Sequence, residues 1–105
     1  MNNCVFLGKL YGDVHCQQHD KTTSADFQLE VESFRKNKNG VKSRSVTVFD
    51  FQAWDTAALT IEQRLKKDDL ILVECSARKD QNSTYFRVNS FRIFNKERFS
   101  NKLED

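Results

Sequence analysis

From residue 25 to residue 34 the chain alternates cleanly. Ala25, Phe27, Leu29 and Val31 are apolar, while Asp26, Gln28, Glu30 and Glu32 are polar. A period of two marks a strand with one face on a core and the other in solvent. The pattern recurs over 46–54, where Phe49, Phe51 and Ala53 share one face and Val48, Asp50, Gln52 and Trp54 the other. It returns over 70–79, with Ile71, Val73, Cys75 and Ala77 set against Leu70, Leu72, Glu74 and Ser76. Two further strands are predicted over 3–11 and 84–94. In the first, Cys4, Phe6 and Leu10 oppose Val5 and Leu7, and Gly8 interrupts the run, which predicts a bulge or sharp bend.

One segment breaks the period. Ala58, Ile61 and Leu65 recur at i, i+3 and i+7, predicting a short amphipathic helix over 56–67. Asp55 is placed to cap its start, and Lys66 and Lys67 complement the dipole at its end before Asp68-Asp69 closes the pattern. Residues 13–24 read as a polar connection, and 80–83 as a polar turn. Within 35–44, Asn39-Gly40 is a hairpin-turn dipeptide, so the second and third strands are predicted to pair antiparallel with a long tip. The order β-β-β-α-β-β, with a lone helix between strands 3 and 4, predicts an all-β five-stranded Greek-key OB-fold barrel. The barrel is expected to occupy residues 1–95, followed by a short charged tail over 96–105.

Composition narrows the class. At 105 residues there is room for one domain with a modest core. Hydrophobic residues at 38% beside 30% charged fit a soluble globular chain, and no apolar run is long enough to span a membrane. The opening Met1-Asn2-Asn3-Cys4-Val5 lacks the basic and apolar regions of a secretory signal. Cys4, Cys16 and Cys75 cannot all pair within one chain and form no C-x-x-C, which points to a reducing, cytoplasmic setting. The net charge is only +2, yet residues 35–44 hold Arg35, Lys36, Lys38, Lys42 and Arg44 with no acid, while the rest is net acidic. A local cationic patch on a near-neutral body predicts a polyanionic partner.

Catalytic patterns are missing: there is no P-loop, no G-x-G-x-x-G, no H-E-x-x-H and no G-x-S-x-G. The chain reads as no enzyme. His15, Cys16 and His19, with Cys4 further off, are the nearest approach to a zinc set but lack a second tight ligand pair, so no metal or cofactor is expected. The binding signal lies in aromatics set beside cations. Trp54 sits on the non-core face of its strand, Phe34 closes the second strand at the mouth of the basic loop, and Tyr85 and Phe86 open the fifth. Phe49 and Phe51 read as core. Binders of single-stranded nucleic acid use such pairs, because every base offers a π-face and each phosphate a charge.

Several pieces in order carry a family resemblance. Asn2-x-x-x-x-x-Gly8-x-Leu10-x-x-Asp13 resembles the opening strand of bacterial single-stranded DNA-binding proteins (SSB), and Ala25-x-Phe27-x-Leu29-x-Val31 their second. Val48-x-x-x-x-x-Trp54-x-x-x-Ala58, then Leu65-Lys66-Lys67-Asp68-Asp69 and Leu70-x-x-Val73-Glu74, resembles their strand, helix and strand without a gap. Asn89-x-Phe91 is similar to the final strand, so the likeness covers roughly residues 2–94. It implies sequence-independent binding of single-stranded DNA in replication, recombination or repair, with Trp54 at a stacking position and Phe34 near another. Arg78 and Lys79 fall at a basic strand end that contacts the DNA backbone. It also implies a homo-oligomer, either dimer or tetramer.

The departures are specific. Val48 replaces a stacking aromatic, Asp50 puts a negative charge on the binding face, and Asn82 stands where some members keep a tryptophan. The chain also stops where typical members continue through a linker to an acidic tip. These features raise an alternative: a tailless accessory similar to primosomal replication protein N, which binds both single-stranded DNA and replication proteins. A peptide-binding OB face is a further reading.

Overall fold

Five strands and one helix make up the computed structural model, which describes residues 1–94. They are β1 (Cys4–His19), β2 (Thr22–Lys36), β3 (Lys42–Trp54), α1 (Asp55–Arg64), β4 (Leu70–Asp80) and β5 (Ser83–Phe94). The strands close into a barrel in the order β1-β2-β3-β5-β4. All neighbours run antiparallel except β3 and β5, which meet in a short parallel contact at Phe51–Phe86 and Gln52–Arg87. The expected five-stranded Greek-key OB-fold barrel, with one helix between strands 3 and 4, is the fold observed. The tail over 96–105 and the domain boundary at 95 lie outside the described residues.

Closure depends on β1 serving two neighbours. Cys4 to Lys9 pair with β4, and Lys9 to His19 pair with β2. The first strand is therefore longer than predicted, and most of the expected polar connection over 13–24 is a ladder from His15–Asp26 down to His19–Thr22. Those residues are largely exposed, so no apolar alternation betrays them. Their backbone hydrogen bonds hold the pairing, and such bonds carry no side-chain signature. The irregularity also sits elsewhere than predicted. Gly8 lies in register opposite Ile71, while the register shift falls between Tyr11 and His15, beside Gly12 at φ +78°. Gly8 answers a different need. A Cβ there would stand 2.9 Å from both the Glu30 carbonyl oxygen and Leu29 Cβ, so only glycine lets β1 cross this closely over β2.

The core follows the period-two reading. Leu10, Ala25, Phe27, Leu29, Phe51, Ala53, Ile71, Val73, Cys75 and Val88 point inward and are buried. Phe6, Phe27, Phe49, Phe51 and Phe86 form a connected aromatic cluster inside the barrel, with ring centroids 4.9–5.7 Å apart. Phe86, read from sequence with the binding aromatics, thus belongs to the core. From α1, Ala58 and Ile61 are buried against the barrel, as is Leu65 just past the helix end.

The helix is shorter than its sequence pattern, ending at Arg64 rather than Lys67, and Asp55 does not cap it. Trp54 holds the N-cap position without a side-chain hydrogen bond, and Asp55 is the first helical residue at φ 57°. At the other end Asp69 sets the stop. Only 3% exposed, it accepts the Lys66 N–H at 2.9 Å through its carboxylate, and its carbonyl accepts the Leu10 N–H at 3.2 Å. That clamp turns the chain into β4, so Lys66 and Lys67 stand in the loop rather than at the helix terminus.

Candidate nucleic-acid interface

The outer face of β2 and β3 extends past the barrel as a two-stranded arm. Register pairs run from Ser24–Trp54 beside the helix to Lys36–Lys42 at the far end, and residues 37–41 close the tip. Asn37 builds that turn. Its side-chain oxygen accepts the backbone N–H groups of Asn39 and Val41, each at 2.9 Å, while Gly40 takes φ +78°. Along β3, Lys42 and Trp54 are twelve residue steps apart, a span of about 40 Å at ~3.3 Å per step.

Alternation sorts the arm's cations. Phe34, Lys36, Lys42 and Arg44 share the outer face with Val46 and Val48, whereas Arg35 pairs with Ser43 on the opposite face and Lys38 occupies the tip. Phe34 is 65% exposed and lies opposite Arg44, so it offers an open ring beside a guanidinium. Arg44 also forms an ion pair with Glu32. The hydrogen bond from Arg44 holds the Glu32 carboxyl below the usual range, and the carboxylate in turn raises the arginine. Part of the arm's positive charge is therefore answered within the arm.

The other end of the face is built around Trp54. It stands on the non-core side of β3, as its parity predicted, but it is partly covered rather than open. Its indole N–H donates to Gln52 Oε1 at 2.8 Å, and Gln52 in turn donates to Asp26 at 3.4 Å. The His19 ring lies 5.2 Å away, tilted by 34°, and His19 is itself joined to buried Ser24 at 2.8 Å. The Arg87 guanidinium sits 6.0 Å from the indole centroid, within cation–π range. Arg87 escaped the sequence reading, although the alternation of β5 puts it on the same face as Tyr85. Tyr85 pairs with Arg78 across the β4–β5 hairpin, and Lys79 pairs with Thr84.

Between these ends lies an acidic cleft of about 580 Å³. Asp13, Asp26, Asp50 and Asp80 line it together with Tyr11, His15 and Tyr85, and none of its lining residues is Lys or Arg. Gln28 donates to Asp50 at 2.7 Å and fixes the carboxylate in the middle. The residues picked from sequence thus fall into three groups: the arm, Trp54 at the other end of the β2–β3 face, and Arg78, Lys79 and Tyr85 on the β4–β5 hairpin, with Tyr85 lining the cleft. His15 faces the cleft and His19 packs on Trp54, while exposed Cys16 has its thiol pushed up by partial burial and by Glu62. Among the described residues, no group of three His, Cys, Asp or Glu could hold a metal ion, and no helix is long and apolar enough to cross a membrane.

Comparison with solved structures finds the same barrel. A deletion mutant of the single-stranded DNA binding protein from Thermus aquaticus superposes with a TM-score of 0.80 at 15% identity, covering 91% of this chain and 51% of that one. This chain therefore spans about half the length of that protein. The small single-stranded DNA-binding protein from Streptomyces coelicolor gives 0.68 at 14% identity, with 91% and 94% covered. The SSB domain of a Synechococcus protein gives 0.63 at 18% identity, with 90% and 96% covered. No curated protein sequence matches. The sequence profile of the single-strand binding protein family matches residues 1–81, most of the barrel, and the chain belongs to that family.

Proposed function

We propose that this protein binds single-stranded DNA without reading its sequence, in replication, recombination or repair. The observation that carries the reading is the outer face of β2 and β3, with a partly open tryptophan at one end and an aromatic, cationic arm at the other. Bases stack on Trp54 and Phe34, each contributing roughly 1–3 kcal/mol. Lys36, Lys38, Lys42, Arg35 and Arg44 meet phosphates along the arm, Arg78 and Lys79 do so on the β4–β5 hairpin, and Tyr85 beside them offers a further ring for stacking. The four aspartates of the cleft repel phosphate, so backbone contacts concentrate on the arm and the hairpin. Catalysis has no part in this reading.

Self-association supports the same activity. Val5 and Leu7 on β1 and Leu70 on β4 are 57%, 51% and 43% exposed, and Leu7 stands in register with Leu72. That apolar strip faces away from the barrel core and fits a dimer or tetramer of this chain. The three thiols, all unpaired, fit a cytoplasmic setting.

The acidic cleft favours a second reading, an accessory akin to primosomal replication protein N. There the cleft contacts a replication protein while the arm holds DNA.

Trp54 is the only tryptophan, so its fluorescence reports directly on this face. Titration with oligo-dT at two salt concentrations is expected to quench emission, with weaker binding at the higher salt. No quenching and no binding at low salt would overturn the proposal. Binding that is indifferent to salt would remove the arm as the phosphate contact.

A further inference from the structure

Cys4 and Cys75 are direct partners in the antiparallel β1–β4 ladder, at the seam that closes the barrel. Directly opposed residues in such a ladder have Cα atoms about 4.5–5.5 Å apart, with both side chains on one face. A disulfide needs a Cα separation of roughly 4.4–6.8 Å, so this pairing meets its geometry without moving the backbone. The contact is already close: Cys75 Sγ lies 3.4 Å from the Cys4 carbonyl oxygen. Just beyond the pair, Asn2 bridges the same two strands, accepting the Ala77 N–H at 2.8 Å and donating to the Ala77 carbonyl at 2.9 Å. Asn2 and Cys4 are thus held against β4, with the two cysteine side chains on the same face of the ladder.

We propose that Cys4 and Cys75 form a reversible intramolecular disulfide, which staples the N-terminus to β4 when a small-molecule disulfide such as oxidised glutathione is in excess. The two thiols differ in access, and this sets the order of events. Cys75 is fully buried, and that burial pushes its thiol up to about 11. Cys4 is only partly buried and is the one an oxidant can reach. The Cys4 thiolate attacks one sulfur of the oxidant, forming a mixed disulfide and releasing the first glutathione thiolate. The Cys75 thiol then gives its proton to a departing thiolate and displaces the second glutathione, and the Cys4–Cys75 bond forms. Two protein thiols are oxidised, and one oxidised glutathione is reduced to two thiols. In a reducing compartment the reverse exchange restores both cysteines.

The closed loop spans most of the domain, so the cross-link constrains the unfolded chain strongly and raises Tm by roughly 10 °C. The test uses the full chain carrying Cys16→Ser, which leaves only the pair. The protein is equilibrated with excess oxidised glutathione and its free thiols are then blocked with N-ethylmaleimide in denaturant. Mass spectrometry is expected to find no alkylated thiol, no bound glutathione and a linked Cys4–Cys75 peptide in a monomeric chain. The Tm gain should vanish with dithiothreitol. Adding Cys4→Ser should abolish both the link and the gain, and because Cys4 is not fully buried this variant keeps its fold. Two alkylated thiols, glutathione retained on Cys4, or a link found only between chains would each overturn the proposal.

Discussion

Gly8 and Asp50 show how much depends on single positions. Gly8 reads from sequence as a bend. In the fold it is the point where β1 passes so close to β2 that a methyl group would strike the Glu30 carbonyl and Leu29. Gly8→Ala should therefore destabilise by about 1–3 kcal/mol and lower Tm by roughly 10 °C. A thermal melt followed by circular dichroism checks this, and an unchanged Tm would mean the two strands can separate freely there. Asp50 works in the opposite direction. Its carboxylate, held by Gln28, sits in the middle of the face where DNA is proposed to pass. Asp50→Asn removes a repulsion worth about 1 kcal/mol at an exposed site, so oligo-dT affinity at low salt should rise roughly fivefold. A fall in affinity would show instead that the carboxylate contacts the bases. Asp50's outward placement was legible from its parity alone. The gathering of Asp13, Asp26 and Asp80 around it was not, because these come from three other stretches of chain.

Among the elements, the arm and β1 diverge in how openly the sequence declares them. The arm announces itself through charge and through Asn39-Gly40, and the fold adds only which cations share a face. Since Lys36, Lys38 and Lys42 are exposed and do not contribute to the core, replacing all three with serine should leave Tm unchanged. For a single strand the slope of log K against log salt changes by about 0.7 per phosphate contact, so losing three contacts should flatten it by about 2. Fluorescence titrations across a salt series read that slope directly, and an unaltered slope would separate the arm from DNA binding. The outer half of β1 behaves differently. Most of its residues face solvent and its register rests on backbone pairing with a few polar side-chain contacts, so the apolar alternation that revealed β2, β3 and β4 is absent from it. The helix start is a similar case: Asp55 has the chemistry of a cap, but β3 runs on through Trp54 and places Asp55 one position too late.

For the molecule as a whole, the apolar strip on the outside of β1 and β4 is the surface through which we propose the chain self-associates. Leu7 is 51% exposed and in register with Leu72, so Leu7→Glu should leave the barrel folded and convert an oligomer to a monomer. Light scattering measures this, and an unchanged mass would place the interface elsewhere. The sequence by itself determined the elements that bury an apolar face: most of the strands, the plugging helix and the core phenylalanines. For these, local alternation and burial are the same physical fact. It also located the cationic loop and the outward side of Trp54. Only the tertiary structure decided that β1 is shared between two neighbours, and that His19 and Arg87 flank the indole. It alone gathered four aspartates into one cleft and placed Cys4 against Cys75. Each of these is a contact between residues far apart in the chain, set by register and closure, and no local period encodes it.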